Sequence, residues 1–197
     1  MLTLHHAPRS RSTRCLWLLE ELGADYRIHH VDIRRMDGSG GPDPENPHPM
    51  KQVPALEVDG VVIIETIAIF LHLTDLFPEA GLAPKVGDPD RAAYLSWLGL
   101  YNGVLEPAVT AKFRNPEGVS AQMAEAYEAL DARWKAALEA GPYLLGERFS
   151  AIDVLFGSLL QFFRKAMPDH AVYDEWIARI SQRPALAAAL AKDAGPA

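Results

Sequence analysis

The amino-acid sequence predicts an N-terminal α/β domain with a mixed four-stranded sheet, followed by an all-α helical bundle. Strand and helix signals alternate as far as Pro78, and an Asp-Gly pair between two β-branched segments adds an antiparallel hairpin. After Asp90 the strand signals disappear and only helical patterns follow. A βαβ unit followed by a hairpin gives a sheet with both parallel and antiparallel strands.

The first half of the α/β domain is predicted to contain two strands joined by a helix. Residues 2–5 alternate apolar and polar side chains and predict the first strand. Residues 13–22 are rich in Leu and Glu and are followed by Gly23, which is typical of a helix with a glycine cap. Residues 26–33 alternate again and predict the second strand, whereas the prolines and glycines of residues 37–49 predict a loop.

The second half of the domain is predicted to be a hairpin followed by a helix. Residues 53–58 and 61–64 flank Asp59-Gly60, the strongest short hairpin signal. Residues 65–77 carry apolar side chains at helical spacing, and Pro78 is expected to end that helix.

A change in composition predicts the domain boundary. Residues 79–88 have the glycine and proline content of a linker, which separates a domain of residues 1–78 from a helical domain of residues 89–197. Helices are predicted over residues 91–105, 120–140, 150–167 and 170–181. Ser150 and Asp153 have the spacing of a capping box, in the weaker form with Asp at its second position. Residues 192–197 are expected to be frayed.

The composition indicates a soluble, cytoplasmic protein. The formal charge of −7 argues against a general binder of nucleic acid or of anionic membranes. The single cysteine excludes an internal disulfide framework and makes a reducing compartment the default. The first residues are too polar for a signal peptide, and no apolar segment is long enough to span a bilayer.

Three features of the sequence have structural explanations that are favoured over catalytic or binding roles. The seven histidines show none of the spacings typical of a metal site. The glycine-rich segment of residues 38–41 lies in a polar loop, so a flexible loop is favoured over a phosphate site. Cys15 is predicted to lie one turn inside the first helix as a small buried side chain, with a nucleophilic role as the alternative.

Ser10-Arg11-Ser12 lies where the first strand leads into the first helix. The N-terminus of a helix presents unpaired N–H groups and the positive end of the helix dipole. A hydroxyl at that position can donate to an anion, such as a thiolate, whereas it lacks the neighbouring base that a serine nucleophile needs. Helix capping by Ser12 or Thr13 is the structural alternative.

Two further segments fit an extended peptide ligand. A proline at the start of a strand suits a cis peptide bond and leaves the backbone of Val53, before Pro54, free to pair with a ligand. Glu65-Thr66 opens a second helix, where a carboxylate can bind the N–H groups and an ammonium can bind the acid. Each segment has a purely structural alternative, but together they suggest a small anionic peptide that contains a thiol.

These segments resemble the thioredoxin-like N-terminal domain of cytosolic glutathione transferases. The resemblance is carried by residues 10–23, by residues 52–60 with their Val-Pro-Ala-Leu sequence, and by the Glu-Thr pair that begins residues 65–69. The helical remainder, including its cap signal at residues 150–153, is also similar, so nearly the whole chain is covered. The Ser-Arg-Ser segment resembles that of serine-type bacterial and fungal members.

The resemblance implies that glutathione is the co-substrate and lies along the edge of the sheet. The cysteine backbone of glutathione would pair with Val53, before a cis Pro54. Glu65 and Thr66 would hold its γ-glutamyl end, although Ser is commoner than Thr at the second place. The candidates for its glycyl carboxylate are Gln52, Lys51 and, more weakly, Arg35.

The resemblance also implies a mechanism. The sulfur of glutathione would meet Ser10 as first candidate or Ser12 as second, with Arg11 contributing its N–H or side chain. The thiolate would then attack a small electrophilic, hydrophobic substrate held over the helical domain, without a metal. Family members usually form two-fold homodimers.

The sequence departs from the beta-class bacterial members at two places. Those members carry a Cys near the start of the first helix, where this chain has Arg11 and its serine neighbours, so a mixed-disulfide mechanism is not expected. They also place an Asn and a His where Gly99 and Glu106 stand here. In the family, side chains of this helical segment usually line the electrophile site. The candidates here are Trp97, Tyr101, Asn102, Glu106 and Phe113. For each of them a role in helix packing is an equal alternative.

Two other functions are alternatives on the same scaffold. One is a glutathione-dependent disulfide reductase, isomerase or dehalogenase. The other is a non-catalytic module that binds glutathione without turnover, because a fold does not determine a function.

Overall fold

The computed structural model describes residues 1–194 and divides the chain into two compact units. The first unit contains Met1–Ala80 together with the C-terminal segment that begins at Ser181, and the second contains Gly81–Ile180. This grouping differs from the expected helical domain of residues 89–197, because the last helix packs within the first unit.

The first unit contains a four-stranded sheet. Its strands are β1 (Leu2–His6), β2 (Tyr26–His30), β3 (Ala55–Val58) and β4 (Val61–Ile64), in the order β2-β1-β3-β4. β1 pairs with β2 in parallel, whereas β1 with β3 and β3 with β4 are antiparallel. The mixed sheet confirms the predicted fold class. In the hairpin Asp59 and Gly60 have φ values of 48° and 87°. A two-residue hairpin turn requires positive φ at both positions, and Asp-Gly is a preferred pair for that conformation.

Three helices complete the first unit: α1 (Thr13–Glu21), α2 (Thr66–Leu76) and α8 (Pro184–Asp193). All five residues from Cys15 to Leu19 are buried. A surface helix normally keeps one polar face, but α1 contacts β1 and α2 and is also covered by α8. α1 is therefore a core helix of this unit.

The last helix corrects the expectation that residues 192–197 are frayed. α8 continues to Asp193, whose side chain is buried, and Lys192 Nζ lies 2.5 Å from Glu20 Oε1 on α1. A helix end held by its own charged side chains does not fray, so residues 192 and 193 are ordered. Residues 195–197 lie outside the described residues.

The second unit is mainly helical. Its first long helical segment comprises α3 (Arg91–Leu100), a π-helical stretch over Tyr101–Leu105 and α4 (Glu106–Arg114). The predicted end at residue 105 was therefore too early, because Pro107 occupies the first turn of α4, where proline is tolerated. The remaining helices are α5 (Ala121–Ala140), α6 (Ala151–Phe163) and α7 (Ala171–Ser181).

An aromatic cluster forms the core of the second unit. Trp134 packs on Phe156, Tyr173 and Trp176, with ring centroids 4.8, 4.8 and 5.8 Å apart. The capping box predicted at Ser150 and Asp153 is confirmed, and both residues are buried beside this core. Buried aromatic pairs contribute about 0.5–1.5 kcal/mol each beyond their area, so the cluster anchors α5, α6 and α7 to one another.

Candidate functional site

The register of the sheet brings the three predicted features of the first unit to one end. His5 pairs with Ala55, and Ala55 pairs with Ile64. The end of β1, the start of β3 and the end of β4 therefore lie side by side. The loop after β1, the proline before β3 and the helix after β4 consequently share this edge.

In the β1–α1 loop, residues 7–12, two serine hydroxyls are adjacent. Ser10 Oγ lies 2.7 Å from Ser12 Oγ and donates to the carbonyl of Ala7 at 2.6 Å. The N–H of Ser12 donates to Ser10 Oγ at 3.1 Å, which holds the Ser10 oxygen in place as its hydroxyl rotates. To donate to a ligand, the Ser10 hydroxyl has to turn its proton away from the carbonyl of Ala7.

Burial distinguishes the two serines. Ser12 is 0% exposed, and its Oγ contacts His6 Nδ1 at 2.7 Å and accepts the N–H of Ala7 at 3.2 Å. Ser10 is partly exposed. Ser12 thus has the environment of a structural hydroxyl, and Ser10 has that of a hydroxyl open to a ligand.

His6 ties down the Ser12 hydroxyl. Burial lowers the pKa of His6 to about 4, against the opposing effect of Asp193, so the imidazole is neutral at pH 7. Its Nε2 lies 3.4 Å from Asp193 Oδ1 but forms no hydrogen bond within the described residues. Nδ1 forms its hydrogen bond with the Ser12 hydroxyl, whereas no contact joins His6 to the Ser10 hydroxyl.

The pKa of His6 predicts an acid-sensitive fold. A folded-state pKa of about 4 against 6.5 when unfolded means that this contribution to stability is complete above about pH 6.5 and is lost towards pH 4. The full effect is about 3 kcal/mol. Asp193 and His30 also face the ring, the first raising and the second lowering its pKa. Urea unfolding of wild type and His6→Asn across this range should show a shallower pH slope in the variant; equal slopes would contradict the assignment.

Two other side chains of this region have different environments. Arg11 is exposed between the two serines. Cys15 is buried, and that burial raises the pKa of its thiol to about 12 although Arg14 opposes the shift. A thiol with such a pKa is not a nucleophile at neutral pH, which supports the structural interpretation of Cys15.

The Val53–Pro54 peptide bond is cis, as the sequence suggested. The side chain of Val53 packs against Ala7 and Val31, so this segment lies directly beside the β1–α1 loop. Among residues 1–194, no backbone hydrogen bond is made by the N–H or the carbonyl of Val53. Both groups are therefore available to an extended peptide.

Glu65 and Thr66 stand at the N-terminus of α2. Glu65 is the N-cap residue with φ at 70°, a conformation that few non-glycine residues adopt, and its side chain does not cap the helix. The side chain is exposed and Thr66 is partly exposed. A strained acid that leaves its own helix uncapped is typical of a binding position.

The side chains proposed for a carboxylate lie in the loop before β3. Lys51 Nζ donates to the carbonyls of Asn46 and Pro44 at 2.7 and 3.4 Å, whereas Gln52 is exposed. Arg35 Nη1 donates to the carbonyl of Pro8 at 3.0 Å, which places its charge at the β1–α1 loop. Of these three side chains Gln52 is the exposed one, whereas both cationic side chains are bonded to backbone carbonyls.

Three supporting residues were missed by sequence reasoning. His6 and Asp193 organise the serine loop, and Asn46 donates from Nδ2 to the carbonyl of Gln52 at 3.0 Å while it is fully buried. The Asn-Pro pair in a turn-rich segment was a usable signal for Asn46. No local signal marks Asp193, because its partners lie at the opposite end of the chain.

The side chains proposed for an electrophile site, all in the second unit, fall into a buried group and an exposed group. Trp97 and Tyr101 are buried and pack edge-on against Phe156, and Tyr101 donates to Glu106 Oε1 at 2.7 Å. These contacts favour a packing role. Phe113 is 42% exposed and Asn102 is exposed. These two remain the accessible candidates.

Neither a metal cluster nor a membrane span is found in the part of the chain that the structure describes. Its His, Cys, Asp and Glu side chains form no group of three suited to a metal ion. None of its helices combines the length and hydropathy that a bilayer crossing requires.

Family models identify the class of protein that this fold and these motifs define. Residues 1–75 match the model for the N-terminal domain of glutathione S-transferase, and residues 116–192 match the model for its C-terminal domain. The chain belongs to the glutathione S-transferase family.

Curated relatives agree with this assignment. The chain is 33% identical over 111 residues to glutathione S-transferase 3 of Schizosaccharomyces pombe, covering 56% of this chain and 45% of that protein. It is 27% identical to glutathione S-transferase GstA of Escherichia coli O157:H7 over 81% of each chain. It is 28% identical to maleylacetoacetate isomerase of Mus musculus, over 67% of this chain and 63% of that protein. The matched segment thus spans under half the length of the yeast relative.

Solved structures share the fold along almost the whole chain. A sphingomonad glutathione S-transferase complexed with glutathione is 29% identical, with a TM-score of 0.78 and coverage of 98% and 100% of the two chains. A glutathione S-transferase from Actinobacillus pleuropneumoniae has a TM-score of 0.84 at 24% identity and covers 99% of this chain and 94% of its own. The second comparison supports the fold alone.

Proposed function

We propose that the protein is a serine-type glutathione transferase that binds glutathione along the end of the sheet and activates its thiol at Ser10. The observation that carries the proposal is the strand register, which aligns the β1–α1 loop, Pro54 and Glu65 at one edge. An extended tripeptide needs contacts of this kind at successive points along its length.

Three contacts would hold the peptide. The free N–H and carbonyl of Val53 would pair with the cysteine backbone, next to the cis Pro54. Glu65 would bind the α-ammonium, while Thr66 and the first N–H groups of α2 would bind the γ-glutamyl carboxylate. The glycyl carboxylate would meet Gln52, Arg35 and Lys51.

Ser10 is favoured as the residue that contacts the sulfur. It is partly exposed, and its proton is not held by His6, whereas Ser12 is buried and bonded to His6. A free thiol has a pKa of about 8.5, and lowering it by two units takes about 2.7 kcal/mol. A hydrogen bond to a charged group contributes about 1.5–3 kcal/mol and the N-terminus of α1 about 0.3–1, so the two suffice. Arg11 would add its positive charge at the surface.

Binding of the γ-glutamyl end gives a direct test. Glu65→Gln removes the charge that would pair with the ammonium and should weaken glutathione binding about tenfold or more in calorimetry. The variant Asp75→Asn, an exposed acid at the other end of the same helix, removes an equal charge and should bind like wild type. Glutathione lacking its amino group should bind Glu65→Gln and wild type alike; equal binding of intact glutathione would contradict this role.

A second candidate function is isomerisation or disulfide reduction with glutathione. The similarity to the mouse protein named maleylacetoacetate isomerase favours it. Turnover of a cis double-bond diacid or of hydroxyethyl disulfide, with none of a chloronitrobenzene, would select this function over conjugation. Binding of glutathione without turnover of any of these compounds would select the non-catalytic module.

The proposed function also includes a second substrate, an oligomeric state and a cellular location. The second substrate is proposed to be a small hydrophobic electrophile, with Phe113 and Asn102 as its accessible candidates on the helical unit. The homodimer and the cytoplasmic location are proposed from the family resemblance.

A further inference from the structure

The carboxylate of Asp193 contacts the β1–α1 loop on both sides of Ser10. Both of its oxygens lie 3.2 Å from the N–H of Arg9, and Oδ1 also accepts the hydroxyl of Thr13. Thr13 Oγ1 in turn accepts the N–H of Ser10 at 3.3 Å. The residue before Ser10 is held directly, and Ser10 itself is held through Thr13.

The side chains of His6 and Ser12 lie between Asp193 and the Ser10 hydroxyl. Asp193 Oδ1 lies 3.4 Å from His6 Nε2, and His6 Nδ1 lies 2.7 Å from Ser12 Oγ. Ser12 Oγ is 2.7 Å from Ser10 Oγ. Because His6 Nε2 makes no hydrogen bond in the described part of the chain, these side chains are neighbours and not a continuous hydrogen-bond chain. The hydrogen bonds through Arg9 and Thr13 are therefore the ones by which Asp193 can hold Ser10.

We propose that Asp193 is a positioning residue, which holds the Ser10 hydroxyl where it can donate to the sulfur of glutathione. This inference rests on the proposed function of Ser10. Asp193 is 5% exposed, and a buried carboxylate is retained only where its lone pairs are satisfied. Its named partners Arg9, Thr13 and His6 all belong to the loop or its flanks. Arg9 also has φ at 52°, a conformation that needs support from the surroundings.

A structural tie between α8 and α1 is the competing explanation, and the chain offers a matched control for it. Arg183, immediately before α8, binds both carboxylate oxygens of Glu21 at 2.6 Å. Glu21 ends α1, at the opposite end from Thr13. Arg183→Gln should therefore weaken the docking of α8 without touching the serine loop.

The test measures the pKa of the thiol of bound glutathione, by thiolate absorbance, together with kcat and KM. In Asp193→Asn the pKa should rise by about one unit and kcat at neutral pH should fall about tenfold. KM for glutathione should change little, because Val53, Glu65 and Thr66 are untouched. Arg183→Gln should lower Tm while the thiol pKa stays at the wild-type value.

Thr13 keeps the inference testable if Asp193→Asn fails to fold. Thr13→Val removes the hydroxyl that joins Ser10 to Asp193 and should raise the thiol pKa, whereas Thr13→Ser retains the hydroxyl and should leave it unchanged. A thiol pKa unchanged in Asp193→Asn or, if that variant does not fold, in Thr13→Val overturns the inference and leaves the role of Ser10 intact. Equal pKa shifts in Asp193→Asn and Arg183→Gln at matched Tm also overturn it. If wild type binds no glutathione, the proposed function is contradicted, and the inference with it.

Discussion

The Ser10→Ala variant is expected to lose about 10- to 100-fold in kcat/KM at neutral pH, with the pKa of bound glutathione raised by one to two units. The range follows from the loss of one hydrogen bond to a charged group, about 1.5–3 kcal/mol. KM for glutathione should change little, because the proposed peptide contacts at Val53, Glu65 and Thr66 are not altered. Stopped-flow measurement of the thiolate and steady-state kinetics with a chloronitrobenzene would check both numbers.

Ser12→Ala is the matched control for this prediction. It removes the same atom two residues away but leaves His6 Nδ1 and the N–H of Ala7 without their partner. The expected result is a loss of about 1–3 kcal/mol in stability for the unsatisfied buried groups, with the thiol pKa near that of wild type. The opposite pattern, a raised thiol pKa in Ser12→Ala and none in Ser10→Ala, would transfer the sulfur contact to Ser12.

The Asp153→Ala variant is expected to show the largest loss of stability, about 3–5 kcal/mol. Asp153 is 0% exposed, and its carboxylate accepts the N–H of Leu144 at 3.0 Å and both the N–H and the hydroxyl of Ser150 at 2.9 Å. Removing it leaves three buried donors unpaired and a cavity at the start of α6. Chemical unfolding would measure the loss, and Ser150→Ala, which removes one hydroxyl, should cost about 1 kcal/mol.

The ionisation of Asp153 makes the stability of the wild-type protein depend on pH. Burial raises the pKa of its carboxyl to about 6, although the hydrogen bonds from Leu144 and Ser150 oppose the shift. Because the folded pKa lies above the unfolded value of 3.8, the contribution to stability is complete below about pH 4 and is lost as the pH rises through about 6. Asp153→Ala should lack this slope. A variant whose stability follows the same pH curve as wild type would show that another group titrates there.

Local chemistry was enough to predict the sheet and its helices. The hairpin followed from Asp59-Gly60, where backbone conformation and residue type leave little choice, and the α6 cap followed from Ser150 and Asp153. The cis bond before Pro54 and the position of Glu65 at the N-terminus of α2 were also predictable, because the sequence pattern locates the starts of β3 and α2. What the sequence could not decide was which serine is accessible, because Ser10 and Ser12 both precede the same helix.

Long-range packing explains what was missed. α8 is short and rich in alanine, so its pattern is weak, and it is stabilised by the buried face of α1 rather than by its own sequence. The helix predicted over residues 91–105 left out α4, in whose first turn Pro107 lies. Asp193 is bonded to Thr13 across 180 residues, and no periodicity connects such a pair.

The position of Asp193 near the end of the chain has a consequence for synthesis in the cell. A ribosome adds about 5–20 residues per second, so the loop around Thr13 emerges roughly 10 to 40 seconds before its carboxylate partner. Until then α1 also lacks the cover that α8 provides, and its apolar surface is exposed to chaperones and to aggregation. The nascent chain therefore acquires its core helix well before the carboxylate that braces its serine loop.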